Sequence, residues 1–528
     1  MLKRRIALKH FNVLQGDLIN PFMLLGMQDF QGEEPVTAGV ESLIDHGNAQ
    51  IKLRVVDQLD QVGGSLLCVM HEDLVIMLMV PVLFFHAGFF LLDLIFLVIH
   101  NNRTTFFPRY GMIFSLWKET KYNIDMEDTY GNVIASLAQA NDKKIVMLVL
   151  DGLGDCDNDG KGTALQIART PNMDRLAQES ALGLFHPVSP GITPGSGPGH
   201  LGLFGYDPVL YQIGRGVLSA LGIGYPLEKG DVAARMNFCT LDEQGKVVDR
   251  RAGRISTERN RELMDRIREK VKTGDAEVVF ETVAEHRGLL VLKGDNLDDR
   301  AGDTDPQETG KEPLDPARPP YDSSRTARII KGLTTHIGEV LKDEPDANML
   351  IIRGVAQLPD WPSFHERYAL NPTAIAGYPM YRGIARLLGM DVWSEPTGPM
   401  EIIGDTLKAM EEHDFVFSHF KDTDKTGEDG DIRKKAEAIE RMDAALPDLL
   451  EKAPDVLIIT GDHSTPAPLS SHSWHPVPLL MKAPFTRGPY QETFDEISAA
   501  KGELGMFLAR EIMPLAMAHA EKLKKFGA

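Results

Sequence analysis

The chain has 528 residues, 43% of them hydrophobic and 25% charged, which is ordinary for a soluble globular enzyme with room for two or three domains. Its formal net charge of −20 repels phosphate backbones and excludes general nucleic-acid binding. Cys68, Cys156 and Cys239 stand far apart with no CxxC pair, which excludes a disulfide framework or a thiolate zinc site and points to a reducing, cytoplasmic setting.

Residues 1–125 carry 10 Lys and Arg against 13 Asp and Glu, so most of the acidity lies downstream. Within them the run from Leu74 to Ile99 is almost wholly apolar, broken by Pro81, His86, Gly88 and Asp93. It exceeds the about 20 residues that a membrane-crossing helix needs, and it lies too far into the chain for a cleaved signal peptide. A carboxylate such as Asp93 costs about 2.5–3.5 kcal/mol in mid-bilayer, and Pro81 also opposes a simple lipid-facing helix. Residues 1–70 show no sustained helical or alternating period, and no motif precedes residue 143. Two readings of the extension follow: a membrane segment at 74–99, or a misassigned start with translation beginning at Met126. The lack of motifs favours the second, with Met126-Glu127-Asp128-Thr129-Tyr130 leading into an expected strand.

Further on, Lys144 to Leu150 is a short apolar run rich in β-branched residues, the pattern of a buried parallel strand. Asp151-Gly152 follows at once, where open α/β sheets bind ligands. A strand ending in Asp-Gly is by itself a common turn. Pro190 to Leu201 then forms a Gly/Pro-rich turn containing Ser196, with a helix expected to open at Leu201. A serine there lies near free backbone N–H groups, and coordination to a divalent ion would make it a nucleophile. Asp414 to Phe420 reads as a second strand, followed by an expected loop carrying Asp422, Asp424, Glu428, Asp429 and Asp431. Asp455 to Thr460 reads as a third, ending in Gly461-Asp462-His463, with His472 nine residues later. Three apolar strands each deliver a carboxylate at the same end, two with histidine nearby. That donor mixture predicts a site for Mn²⁺, Mg²⁺ or Zn²⁺.

Taken together the sequence resembles the archaeal-type 2,3-bisphosphoglycerate-independent phosphoglycerate mutases of the alkaline phosphatase superfamily, from about Lys143 to about Pro514. The resemblance rests on Pro194-Gly195-Ser196, His200-Leu201, Phe204 to Pro208, Gly214-Arg215-Gly216, Gly230 to Phe238, Asp249 to Arg254, Glu285 to Gly288, Asp303 to Pro306, Tyr381 to Arg386 and Thr460 to His463. It implies an α/β core with a mainly parallel sheet flanked by helices, built from residues 143–230 and 363–528, and an inserted α+β substrate-handling domain at 231–362. It also implies that Asp151, Ser196, Asp462 and His463 hold one divalent cation, and that Asp424, His472 and position 428 hold a second. Mn²⁺ or Mg²⁺ comes first for these sites, then Zn²⁺ or Co²⁺, with no bisphosphoglycerate. His286, Arg287, Asp303, Asp305, Arg353 and Arg382 are the expected substrate-binding residues for a small phosphorylated three-carbon acid. The implied activity interconverts 3-phosphoglycerate and 2-phosphoglycerate in glycolysis and gluconeogenesis through a phosphoserine. A phosphohydrolase or phosphonate hydrolase, or an inactive homologue, stands as the alternative. Three positions depart from the family pattern. Glu428 replaces a usual histidine and favours Mg²⁺ or Mn²⁺, Gly197 replaces an acidic residue, and Arg382 replaces a lysine.

Overall fold

The computed structural model describes residues 128–157, 160–272 and 276–527, together with short strands within residues 1–127. The chain divides into two compact units, Met1–Asp125 and Met126–Ala528. In the first unit, strands Gly64–His71, Leu74–Pro81 and Ile95–His100 pair antiparallel in succession. The apolar run at 74–99 therefore supplies strands at both ends where a single spanning helix was one expectation, in keeping with its many β-branched residues; residues 82–94 lie outside the described residues. Among the described residues no helix is long and apolar enough to cross a membrane.

The second unit opens with a helix, Thr129–Leu137, in place of the expected strand. Asp128 caps it by accepting from the Gly131 N–H at 2.8 Å, which satisfies one of the helix's free donors. Eight strands then build one sheet: β1 (Ile145–Leu150), β2 (Ala181–His186), β3 (Pro372–Ala376), β4 (Asp391–Ser394), β5 (Phe415–Phe420), β6 (Val456–Thr460), β7 (Val477–Lys482) and β8 (Gly505–Leu508). Their spatial order is β4-β3-β5-β1-β6-β7-β2-β8, and β7 alone pairs antiparallel with its neighbours. Alternation along β1 divides the core. Ile145, Met147 and Val149 face one apolar layer, while Val146, Leu148 and Leu150 face the other. Because β5 and β6 flank β1 in parallel, with Leu150 opposite Phe420 and Val149 opposite Thr460, the three carboxyl ends lie side by side.

A second sheet of five strands lies within residues 232–357: Val232–Leu241, Val247–Asp249, Glu277–Ala284, Arg287–Lys293 and Met349–Gln357. Val232, Ala234, Met236 and Phe238 turn toward helices Thr257–Lys270 and Arg325–Leu341. On the opposite face, Ala233, Leu289 and Val291 meet Val217 and Ala220. Those two residues belong to one of five helices that frame the site: α1 (Ser196–Leu203), α2 (Arg215–Gly222), α3 (Pro379–Leu387), α4 (Asp422–Glu428) and α5 (Ile432–Ala445).

Two of these helices differ from expectation. Helix α1 begins at Ser196 rather than Leu201, because glycine and proline are tolerated in a first turn whose N–H groups need no helical partner. Helix α4 replaces the expected acidic loop, with Asp422 and Asp424 in its first turn, where the dipole favours negative charge.

Helix α2 seats against the second sheet through Gly216. A Cβ there would lie 2.1 Å from the Ala233 carbonyl oxygen and 2.5 Å from the Ala234 nitrogen, both fixed backbone. Gly216→Val is expected to destabilise the protein by about 1–3 kcal/mol through overpacking. Urea unfolding followed by circular dichroism checks this; an unchanged midpoint would contradict the close seating.

Candidate functional site

The adjacent ends of β5, β1 and β6 carry Asp424, Asp151 and Asp462, all at most 1% exposed. Asp151 follows β1 directly. Its Oδ2 accepts from Lys421 Nζ (2.9 Å) and the Tyr381 hydroxyl, and His419 Nε2 lies 3.2 Å away. Its Oδ1, by contrast, has no hydrogen-bond partner although it is buried. Burial opposes the Asp151 charge, yet Lys421, His419 and His463 outweigh it and hold the carboxyl well below its ordinary range. Asp462 repeats the arrangement. Its Oδ1 accepts from the Gly152 N–H (3.1 Å), while Oδ2 is buried without a hydrogen bond.

His463 Nε2 lies 3.3 Å from Asp151 Oδ1, 3.3 Å from Asp462 Oδ2 and 3.4 Å from Ser196 Oγ. Burial pushes the His463 pKa down, so its imidazole is neutral with a lone pair to offer. Ser196 is brought here because α1 touches the β6 loop closely: a Cβ on Gly199 would stand 2.4 Å from the Asp462 carbonyl oxygen. His200, one turn along α1, meets the Ser196 carbonyl oxygen at 2.8 Å and stands 3.1 Å from Asp462 Oδ2.

Beside this group sits another. Asp424, His463 and His472 also offer ligand atoms within 4.8 Å of one another, as Asp151, Asp462 and His463 do. His472 stacks on His463 at 3.7 Å between ring centroids, and its Nδ1 meets the Pro194 carbonyl oxygen at 3.0 Å. Because a carbonyl only accepts, His472 Nδ1 donates to it, and Nε2 lies 3.6 Å from Asp424 Oδ1. Thr465 Oγ1 contacts both Asp424 Oδ1 (2.5 Å) and His463 Nδ1 (3.1 Å). Glu428 stands at the end of α4 with a side chain 56% exposed, 3.9 Å from His472 Nε2. It is at the rim of the group rather than within it. Unpaired buried carboxylate oxygens grouped with imidazole nitrogens beside Ser196 are a donor set that fits divalent cations.

The expected substrate residues divide. Arg287 donates to the Tyr378 hydroxyl (3.2 Å), and Tyr378 is in turn 5.9 Å from the Lys421 ammonium, so it adjoins the carboxylate group. His286 is buried next to it; burial, reinforced by Arg287 and Arg235, lowers its pKa to about 4. Asp305 accepts two hydrogen bonds from Arg250, at 2.9 and 2.7 Å, and lies 3.5 Å from Arg353 Nε. Asp303 accepts from the Gly354 N–H at 2.8 Å. Arg382 is not among them. It donates to the carbonyl oxygens of Gly222 and Gly377 and pairs with Glu395, joining α3 to its surroundings.

Several site residues escaped sequence reasoning. Lys421 bridges Asp151 and Asp424 Oδ2 (2.5 Å), and its position directly after β5 was a usable signal. Arg235 is half-buried, and desolvation with help from Arg287 and Arg215 lowers its pKa to about 10. A lone charge in the apolar run Val232 to Phe238 marks it. Tyr381, His200 and His419 form a buried aromatic wall behind Asp151 and Asp462; His200 and Tyr381 stand in motifs of the resemblance, but nothing in the sequence brings the three together.

A family model described as 2,3-bisphosphoglycerate-independent phosphoglycerate mutase matches residues 177–346. A probable 2,3-bisphosphoglycerate-independent phosphoglycerate mutase of Thermus thermophilus is 52% identical over 406 residues, covering 75% of this chain and 99% of its own. One from Aquifex aeolicus is 47% identical over 406 residues, covering 75% of this chain and all of its own. Among solved structures, the cofactor-independent phosphoglycerate mutase of Thermoplasma acidophilum is 32% identical with a TM-score of 0.55, covering 72% of this chain and 100% of its own.

The lowered pKa of His286 has a definite sign. Its imidazole stays neutral from pH 7 down to about 4, while an unfolded histidine protonates near 6.5. Stability from this group is therefore complete above about pH 6.5 and is lost as pH falls toward 4. A histidine NMR titration is expected to give a midpoint near 4 for His286; an ordinary midpoint would refute the buried, arginine-flanked setting.

Proposed function

The chain belongs to the 2,3-bisphosphoglycerate-independent phosphoglycerate mutases, and on that premise we propose that Ser196 is its phosphoryl-accepting nucleophile. The carrying observation is the convergence on Ser196 Oγ of His463 Nε2, 3.4 Å away, with the unpartnered oxygens of Asp151 and Asp462 about it. Asp151, Asp462, His463 and Ser196 would hold one divalent cation, and Asp424, His472 and Glu428 a second, Mn²⁺ or Mg²⁺ before Zn²⁺ or Co²⁺. When bound, such cations lower the hydroxyl pKa and neutralise charge on the phosphoryl oxygens.

Ser196 Oγ attacks the phosphorus of 3-phosphoglycerate; the Oγ–P bond forms and the bond from phosphorus to the C3 oxygen breaks. The proton lost by the Ser196 hydroxyl is matched by the one the released C3 oxygen gains, and glycerate is held while it turns. Its C2 hydroxyl then loses its proton and attacks the phosphoserine; the C2 oxygen–P bond forms, the Oγ–P bond breaks, Ser196 Oγ regains a proton, and 2-phosphoglycerate leaves. Lys421, between Asp151 and Asp424, supplies fixed positive charge beside the transferring group. Arg287, Arg235, Arg215 and Arg353 supply the carboxylate- and phosphate-binding surface, a task that planar guanidinium groups suit. Neutral His286 adds a hydrogen-bonding group there without adding charge. Three of those arginines, 235, 287 and 353, lie on strands of the second sheet. A substrate half held there can turn while the phosphoryl group stays on Ser196.

The exposed Glu428 favours one competing activity, hydrolysis of the phosphoserine by water entering at that rim. An enolase-coupled assay separates them. Formation of 2-phosphoglycerate from 3-phosphoglycerate without bisphosphoglycerate is expected, abolished by chelator and lowered at least about a thousandfold by Ser196→Ala. Free phosphate as the main product rejects the mutase. For Glu428 itself, Glu428→Ala is expected to weaken one Mn²⁺ equivalent by about tenfold or more while leaving the other, with Glu428→His restoring it. Equal binding in the alanine variant would remove Glu428 from the ligand set.

A further inference from the structure

Lys435 lies on α5, and its side chain is wholly buried although none of the chemistry above uses it. Its ammonium donates to the carbonyl oxygens of Gly154 (3.0 Å) and Thr465 (2.8 Å), with Asp155 Oδ2 at 3.5 Å as counter-charge. Gly154 belongs to the loop that leaves β1 after Asp151, and Thr465 to the loop that leaves β6 after His463. The two loops are also joined directly, since the Thr465 N–H lies 3.1 Å from the same Gly154 carbonyl oxygen. Thr465 passes the constraint on through its hydroxyl, which touches Asp424 Oδ1 and His463 Nδ1. Asp155 fastens the far side by accepting from the Ala467 N–H (3.1 Å) and the Ala164 N–H (3.3 Å).

A buried ammonium needs fixed acceptors, and fixed acceptors on two loops immobilise both. We propose that Lys435 is a positioning residue for cation loading: its ammonium clamps the loops after β1 and β6 and so sets Asp151, Asp424 and His463 in ligand geometry. This rests on the two-cation reading of the site. Outer partners of this kind, acting through the groups that ligands hang on, change metal affinity about 10–100-fold when removed.

Two variants test it, Lys435→Met and the charge-neutral double variant Lys435→Met with Asp155→Asn. The double variant removes the uncompensated buried carboxylate that the single change leaves. Mn²⁺ binding to the metal-free full chain is followed by electron paramagnetic resonance. Both variants are expected to bind Mn²⁺ about 10–100-fold more weakly than the parent. The double variant is expected to keep a cooperative thermal transition without metal, and to regain kcat at saturating Mn²⁺ with KM for 3-phosphoglycerate changed less than about twofold. Parent-like Mn²⁺ affinity in the double variant overturns the clamp, because charge balance alone would then explain Lys435. Loss of cooperative unfolding in the double variant also overturns it, because Lys435 would then hold the fold rather than the ligands. A parent protein that binds no Mn²⁺ instead overturns the two-cation reading itself.

Discussion

Three carboxylates buried at one end of a parallel sheet set the terms for everything near them. Two unit charges about 4 Å apart repel by about 4 kcal/mol at an effective dielectric of about 20. Asp151, Asp424 and Asp462 are each sealed from water. The protein answers this only in part. Lys421 satisfies one oxygen each of Asp151 and Asp424, and the Gly152 N–H satisfies one oxygen of Asp462. The opposing oxygens of Asp151 and Asp462 are left without donors. A site so arranged is left short of positive charge, which a divalent cation would supply.

The sheet makes this crowding possible without strain. Strands β5, β1 and β6 run parallel in adjacent positions, so their carboxyl ends open into one place. Register puts Asp151 beside Lys421 and the Gly461–Asp462 turn. A glycine at 199 lets α1 approach the Asp462 backbone and bring Ser196 in. Fold and charge thus answer one another: the parallel arrangement creates the convergence, and the lysine and imidazoles offset it.

How far the sequence foretells this follows from the range of each interaction. Asp151, Asp424, Asp462 and His463 were legible because each lies at or just beyond the end of a mainly apolar strand run, and strand ends are local features. Ser196 was legible from its Gly/Pro frame. Lys435 was not, and neither was the role of Tyr381, since both depend on acceptors contributed by other elements: Gly154 and Thr465 for one, Asp151 for the other. Arg215 and Arg235 stood in motifs that sequence comparison recognises, but only the seating of α2 on the second sheet turns them into one surface. Helix α4 was missed because Asp, Thr and Gly favour loops; the dipole and its contact with the Thr465 loop reverse that preference.

The two halves of the site answer different chemical demands. Around Ser196 the groups are locked: Lys435, Thr465, Lys421 and Tyr381 hold backbone and carboxylates by short, buried hydrogen bonds. Under the mechanism proposed for Ser196, a phosphoryl group that arrives at one serine oxygen and departs from it needs that fixity, since misplacing it by even an ångström costs rate. Three of the four guanidinium groups sit instead on a separate sheet whose own core is distinct from the main one, and the fourth, Arg215, on the helix packed against it. Several arginines close together offer more than one way to hold a carboxylate, and on the proposed reading a glycerate passing between such positions would exchange its C3 oxygen for its C2 oxygen without release. A mutase needs both properties at once, a rigid acceptor and a permissive holder, and here they are carried by different sheets of one chain.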